Sequence, residues 1–144
     1  MSEIKEILLK YKTIAMIGVS KDPTKPSTIV MKYMQKYGFK VIPVNPSAKG
    51  EKILGEEVYE KITDIKEPVE IVDVFRPSKE AYEIAEDAVK IGAKVLWLQL
   101  GIRDENAKIL MKKNDIEYIE NKCTKMEYQK IFLKKRQAFP VLNN

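Results

Sequence analysis

Residues 13–28 read TIAMIGVSKDPTKPST. Residues 13–17 have the apolar, β-branched character of a buried strand. They run into Gly18 and a polar loop, and a helix is expected to start near Ser27. A loop between a first strand and a first helix is where a nucleotide-binding protein grips a diphosphate. This one lacks the usual glycines. It is not GxGxxG, and without GxxxxGK[ST] the case for ATP hydrolysis is poor.

Working outward, the hydrophobic pattern alternates between two periods. Short β-rich runs cover 13–17, 39–44, 70–75, 94–98 and 116–119. Helical segments fall between them. Residues 28–37 carry Ile29, Val30, Tyr33 and Met34 on one face. Residues 79–91 carry Ala81, Ile84, Ala85, Ala88 and Ile91, and residues 104–114 carry Ala107, Leu110 and Met111. A leading helix is expected over 4–10 and a trailing one over 125–134. Gly38 and Gly92 each stand between a helix and the next strand, as C-terminal caps should. Strands alternating with helices of about ten residues imply right-handed crossovers and a parallel sheet. The expected fold is α/β: one Rossmann-like, three-layer domain over 1–144, with a five-stranded parallel sheet and helices on both faces.

The bulk numbers fit that picture. The chain has 144 residues, 44% hydrophobic and 33% charged, enough for one sizeable core. No apolar run approaches the roughly 18 residues that span a membrane. The opening MSEIKEILLKYK mixes acids with bases and does not read as a signal peptide, so a cytoplasmic protein is expected. There is no histidine and one cysteine, Cys123. That excludes a Ser-His-Asp triad, a Cys-His pair, histidine-ligated zinc and an internal disulfide. No catalytic residue and no metal ligand is assigned. The net charge of +5 makes an anionic partner plausible. The base is mostly lysine interleaved with glutamate, and most aromatics fall within strands or on apolar helix faces. Nucleic acid is therefore not expected.

In a sheet of this kind the residues after each strand converge on one rim, where ligands bind. Gly18 to Ser27 follow the first strand, Asn45-Pro46-Ser47-Ala48-Lys49 the second, and Arg76-Pro77-Ser78 the third. Gln99-Leu100-Gly101 follow the fourth, and Asn121 to Lys125 the fifth. The set is glycine, hydroxyls, amides and cations with one acid, Asp22, which suits a phosphate. Gly18 serves either the turn or a close ligand approach. Ser27 is expected to cap the helix. Arg76, one of three arginines among 26 basic residues, has the planar fork that suits phosphate and stacks on adenine. Gln99 is read either as a rim residue or as a buried amide tying two loops together. The second strand ends in Asn45-Pro46 rather than in the acid that holds a ribose in NAD sites. A different adenine nucleotide is expected.

Six stretches in order are IAMIGVSKDPTKPS, VIPVNP, ILGEEVY, IVDVFRP, IGAKVLWLQLGI and NKCTKMEY. Together they resemble the small CoA-binding protein family, a one-domain relative of the CoA-binding domain of succinyl-CoA synthetase α subunits. The resemblance implies coenzyme A as ligand, without established catalysis. It would place Gly18, Val19, Ser20, Lys25, Ser27 and Thr28 along the diphosphate. Asn45, Pro46, Phe75 and Arg76 would flank the adenosine, with Lys49 or Arg76 near the 3′-phosphate. Gln99, Leu100 and Gly101 would border the pantetheine. The family often has arginine before the Pro-Ser of the first loop. Here that residue is Lys25, which keeps the charge but loses the bidentate grip. Cys123 reads as a small buried hydrophobe or, on the rim between Lys122 and Lys125, as a thiol able to form a mixed disulfide with CoA. The alternatives are an enzyme or enzyme subunit acting on CoA thioesters, or another adenine-nucleotide-binding protein. In succinyl-CoA synthetase the phosphorylated histidine belongs to a second domain, absent from this sequence, so a ligase role would need a partner subunit. A homo-oligomer also stays open, through Ile131, Phe132 and Leu133 or the final Phe139-Pro140-Val141-Leu142.

Overall fold

The structure, a computed structural model, describes residues 2–133. Five strands form the main sheet: β1 (Thr13–Ile17), β2 (Lys40–Val44), β5 (Ile71–Val74), β6 (Val95–Leu98) and β7 (Glu117–Ile119). Their spatial order is β2-β1-β5-β6-β7, and every pairing is parallel. Each expected strand is present, shortened by one or two residues at its ends or unchanged. The helices are α1 (Ser2–Lys10), α2 (Pro26–Lys36), α3 (Ala81–Lys90), α4 (Glu105–Lys113) and α5 (Thr124–Phe132). A small antiparallel hairpin, β3 (Lys52–Ile53) and β4 (Glu56–Glu57), lies in the connection after β2.

The strands alternate their side chains between two cores, because successive residues point to opposite faces. Ile14 and Met16 of β1 and Val95 and Trp97 of β6 pack with Leu8 of α1 and with Val30, Met31 and Met34 of α2. Ala15, Ile17, Leu96 and Leu98 pack on the other face, against Ala81, Ala85 and Ala88 of α3 and Ala107 and Met111 of α4. The alanine stripe brings α3 close to the sheet.

Two local expectations change. Pro26 opens α2, the position where its fixed φ and missing N–H cost nothing, so Lys25 is the N-cap and Ser27 lies inside the first turn. The face of α2 that packs on the sheet is Ser27, Val30, Met31 and Met34, so Met31 turns inward and Ile29 turns out, 42% exposed. The last expected helical residue, Lys134, and the 139–142 segment lie outside the described residues. No helix among the described residues is long and apolar enough to cross a membrane.

Candidate functional site

From β1 the chain moves to β2 on one side and then, through β5, to the other. The reversal in strand order therefore lies between β1 and β5, where crevices open in such sheets. Gly18 stands at that point with φ +93°. A Cβ there would sit 2.7 Å from the Phe75 carbonyl oxygen and 3.0 Å from Arg76 Cδ. Glycine is thus required by the end of β5 itself, a third reason beside the turn and the ligand that the sequence suggested. The rim ladder holds this contact in place. Gly18 N–H donates to the Val44 carbonyl and Phe75 N–H to the Ile17 carbonyl, both at 2.8 Å.

The loop after β1 is fastened by side chains. Ser20 N–H donates to Ser27 Oγ at 3.0 Å, and the Thr28 hydroxyl donates to the Ser20 carbonyl at 2.6 Å. Asn45 Nδ2 donates to the Val19 carbonyl at 2.8 Å, while Asn45 Oδ1 accepts from Ser47 N–H and its hydroxyl. Asp22 accepts from Thr24 N–H at 2.9 Å and from its hydroxyl at 2.7 Å, bonds that hold its carboxyl below the usual range. Ser27 and Thr28 are buried and Val19 is fully inside the core. Their side chains shape the loop, and the backbone of the loop and the exposed Lys25 face outward.

A cavity of about 390 Å³ opens beside this loop on the α3 side, within the range of small-molecule sites. Ile17, Gly18, Val44, Asn45, Pro46 and Arg76 line it together with Glu60, Glu80, Glu83, Ile84 and Asp87. Arg76 makes a two-point pair with Glu80: Nε at 3.0 Å from Oε1 and Nη2 at 2.7 Å from Oε2. That hydrogen-bonded pairing raises the arginine's pKa and lowers the glutamate's. Nη1 has no protein partner among the described residues. Lys49 pairs with Glu60 at 3.2 Å. The acids of this cavity were not singled out from sequence. Glu83 and Asp87 lie on α3, Glu80 in the short turn just before it, and Glu60 in the connection after the hairpin.

Along the rim beyond β5, Gln99 is buried. Its Nε2 donates to Asp73 Oδ1 at 2.6 Å and to Thr124 Oγ1 at 3.1 Å, and the Thr124 hydroxyl donates to Asp73 Oδ2 at 3.2 Å. It is the buried amide of the second sequence reading, joining β5, β6 and α5. Asp73 is completely buried. Desolvation pushes its carboxyl up to about 7, against the hydrogen bonds from Gln99, Thr124 and the Val74 backbone. The β-rich run 70–75 reads as a strand, and nothing local marks its acid as central. Leu100 is 57% exposed, and Gly101 N–H donates to Asn121 Oδ1 at 2.7 Å. Cys123 is a free, half-buried thiol at the N-cap of α5. Phe75 packs against the first core. Thus Gly18, Asn45, Pro46 and Arg76 meet in one cavity. The loop residues Ser20, Lys25, Ser27 and Thr28 adjoin it, and Gln99 to Gly101 with Cys123 form a separate stretch of rim.

The CoA binding domain family matches the chain over residues 12–129. The chain belongs to this family. YneT, an uncharacterized protein of Bacillus subtilis, is 36% identical over 127 residues, covering 88% of this chain and 93% of the relative. A solved structure from Thermus thermophilus shares 35% identity with a TM-score of 0.87, covering 91% of this chain and 98% of the other. The ADP-forming acetate–CoA ligase of Methanocaldococcus jannaschii is 29% identical over 90 residues, 60% of this chain but only 12% of the enzyme. This CoA-binding domain is therefore homologous to a small part of a much larger ligase.

Proposed function

We propose that this chain binds coenzyme A, or an acyl-CoA, at the carboxyl edge of its sheet, as a cytoplasmic binding, carrier or sensor protein rather than a catalyst. One observation carries the proposal: Gly18 closes against the β5 backbone at the switch in strand order, with the cavity on one side and a side-chain-braced loop on the other. The backbone N–H groups at the start of α2 suit a diphosphate, with Gly18, Val19, Ser20, Lys25, Ser27 and Thr28 framing it. The adenosine then enters the cavity between Asn45, Pro46 and Arg76, while Phe75, packed on the other core, reaches the site only through its backbone beside Gly18. The carboxylates there accept from the adenine amino group and the ribose hydroxyls, and Arg76 or Lys49 meets the 3′-phosphate. The pantetheine runs past Gln99, Leu100 and Gly101 toward Cys123. With CoA disulfide as oxidant, the Cys123 thiolate attacks one sulfur, forms the protein–CoA disulfide and releases CoA thiolate.

Thermal-shift titration under reducing conditions tests the ligand. CoA at roughly 100 times its dissociation constant stabilises the fold by about 2.7 kcal/mol, and dephospho-CoA does less at equal concentration. A melt moved by NAD or ATP but not by CoA would overturn the assignment. Turnover of an acyl-CoA by the protein alone would overturn the non-catalytic part. For the thiol, CoA disulfide adds the mass of one CoA to the wild type and none to Cys123→Ser.

A further inference from the structure

On the α2 side of the sheet, away from the cavity just described, a second and larger one of about 560 Å³ opens. Its apolar walls are Ile29, Tyr33 and Leu54, and Lys32, Lys36 and Lys125 surround them. No acid lines it. None of the three lysines forms a salt bridge among the described residues. Lys125 Nζ stands 5.5 Å from the centre of the Tyr33 ring. The Tyr33 hydroxyl is the one buried side-chain polar atom without a hydrogen-bond partner among the described residues.

Leu54 adds an independent observation. It forms the two-residue hairpin turn with Gly55, and both have positive φ, +50° and +84°. Asparagine or aspartate ordinarily fills that first position. A leucine there is strained, yet 40% of it stays exposed. Gln35 Nε2 donates to its carbonyl at 3.2 Å and fastens the hairpin tip to α2. Strain that places an apolar side chain at the mouth of a cavity points to use rather than to folding.

We propose that this groove binds an amphiphilic carboxylate, its apolar body against Ile29, Tyr33 and Leu54 and its anionic head among Lys32, Lys36 and Lys125. Flexible ammonium groups suit a small anion approached from several directions, whereas the walls offer no set of amides or carboxylates to read a base or sugar. The groove shares no residue with the first cavity, which carries four acids, and it meets the CoA reading only at Thr28, whose hydroxyl is already engaged by the Ser20 carbonyl. The same chemistry is offered by a free carboxylate and by the surface of an anionic membrane; a concave groove of about 560 Å³ has the size of a small-molecule site and favours the free molecule.

Calorimetric titration of the full chain with sodium octanoate below its micellar range tests this. Saturable one-to-one binding is expected, unaffected by CoA, with octanol at least tenfold weaker. The combined Lys32→Ala, Lys36→Ala and Lys125→Ala variant, with an unchanged melting temperature, binds octanoate at least tenfold less tightly. Leu54→Asn, which suits the turn, lowers the affinity severalfold and keeps the fold. The proposal is overturned by absent saturation, by equal binding of octanol, by displacement of octanoate with CoA, by lysine variants that bind as well as wild type, or by association with phosphatidylglycerol vesicles in place of octanoate.

Discussion

The two halves of the rim are braced by different chemistry. Around β1 and β2 the half-buried side-chain bonds are neutral, Ser20 with Ser27 and Thr28 and Asn45 with Val19, while the charged ones, Asp22 with Thr24 and Lys21 with Glu51, are exposed. Around β5, β6 and α5 a buried carboxyl does it, Asp73 held by Gln99 and Thr124. Neutral hydrogen bonds brace a loop at little desolvation cost and without regard to pH. A buried acid ties three elements at once, but its protonation becomes part of the stability. The difference suits the positions. The first half leaves backbone N–H groups free to face a ligand, and the second closes the sheet beneath an exposed Leu100.

The largest expected effect comes from the point where the halves meet. Gly18→Ala combines a positive φ with a Cβ at 2.7 Å from backbone and should cost roughly 2–4 kcal/mol in urea unfolding. Gly50→Ala has φ +83° but nothing within 4 Å, and should cost only about 1–2 kcal/mol. Equal losses would mean that backbone conformation, and not the β5 contact, decides Gly18.

Next in size is the pH response of the second half. Folded, Asp73 titrates near 7; the ordinary value is 3.8. Between those values the folded chain holds a proton that the unfolded chain has released. The stability from this group is complete below the lower value and is lost as pH rises through about 7. Relative to Asp73→Asn, the wild type should lose up to about 1.4 kcal/mol per pH unit across that window. Parallel pH curves for the two proteins would remove the contrast between the halves.

The smallest effect tests the first half. Thr28→Val removes one buried hydrogen bond and should cost about 1 kcal/mol, by the same amount at pH 5 and pH 8. CoA affinity should fall with it, since the loop loses a brace next to the proposed diphosphate. A cost that changed between the two pH values would tie this loop to the titrating half.

Much of this was legible before any coordinates. Alternating periods marked five parallel strands and five helices, because burial on both faces forces continuous apolar runs and helix faces force a 3.6-residue repeat. The rim residues followed, since chain order alone puts each post-strand segment at the carboxyl edge. The Leu54-Gly55 hairpin and the inward turn of Met31 were not legible. The first rests on a two-residue turn too short to carry a pattern, and the second on which of two adjacent apolar stripes of α2 meets the sheet.

By itself the sequence determined the layer architecture, the rim and the membership of the CoA-binding family, because these rest on periodicity and on motifs carried within single segments. Only the tertiary structure decided why Gly18 is glycine, that Arg76 is held by Glu80, that the first cavity carries acids, and that Asp73, Gln99 and Thr124 form one buried cluster. The Arg76–Glu80 pair spans only four residues, but it forms because the chain turns into α3 there; the Gly18 contact and the Asp73 cluster bring together residues 25 or more positions apart, and no local pattern encodes a distance of that kind.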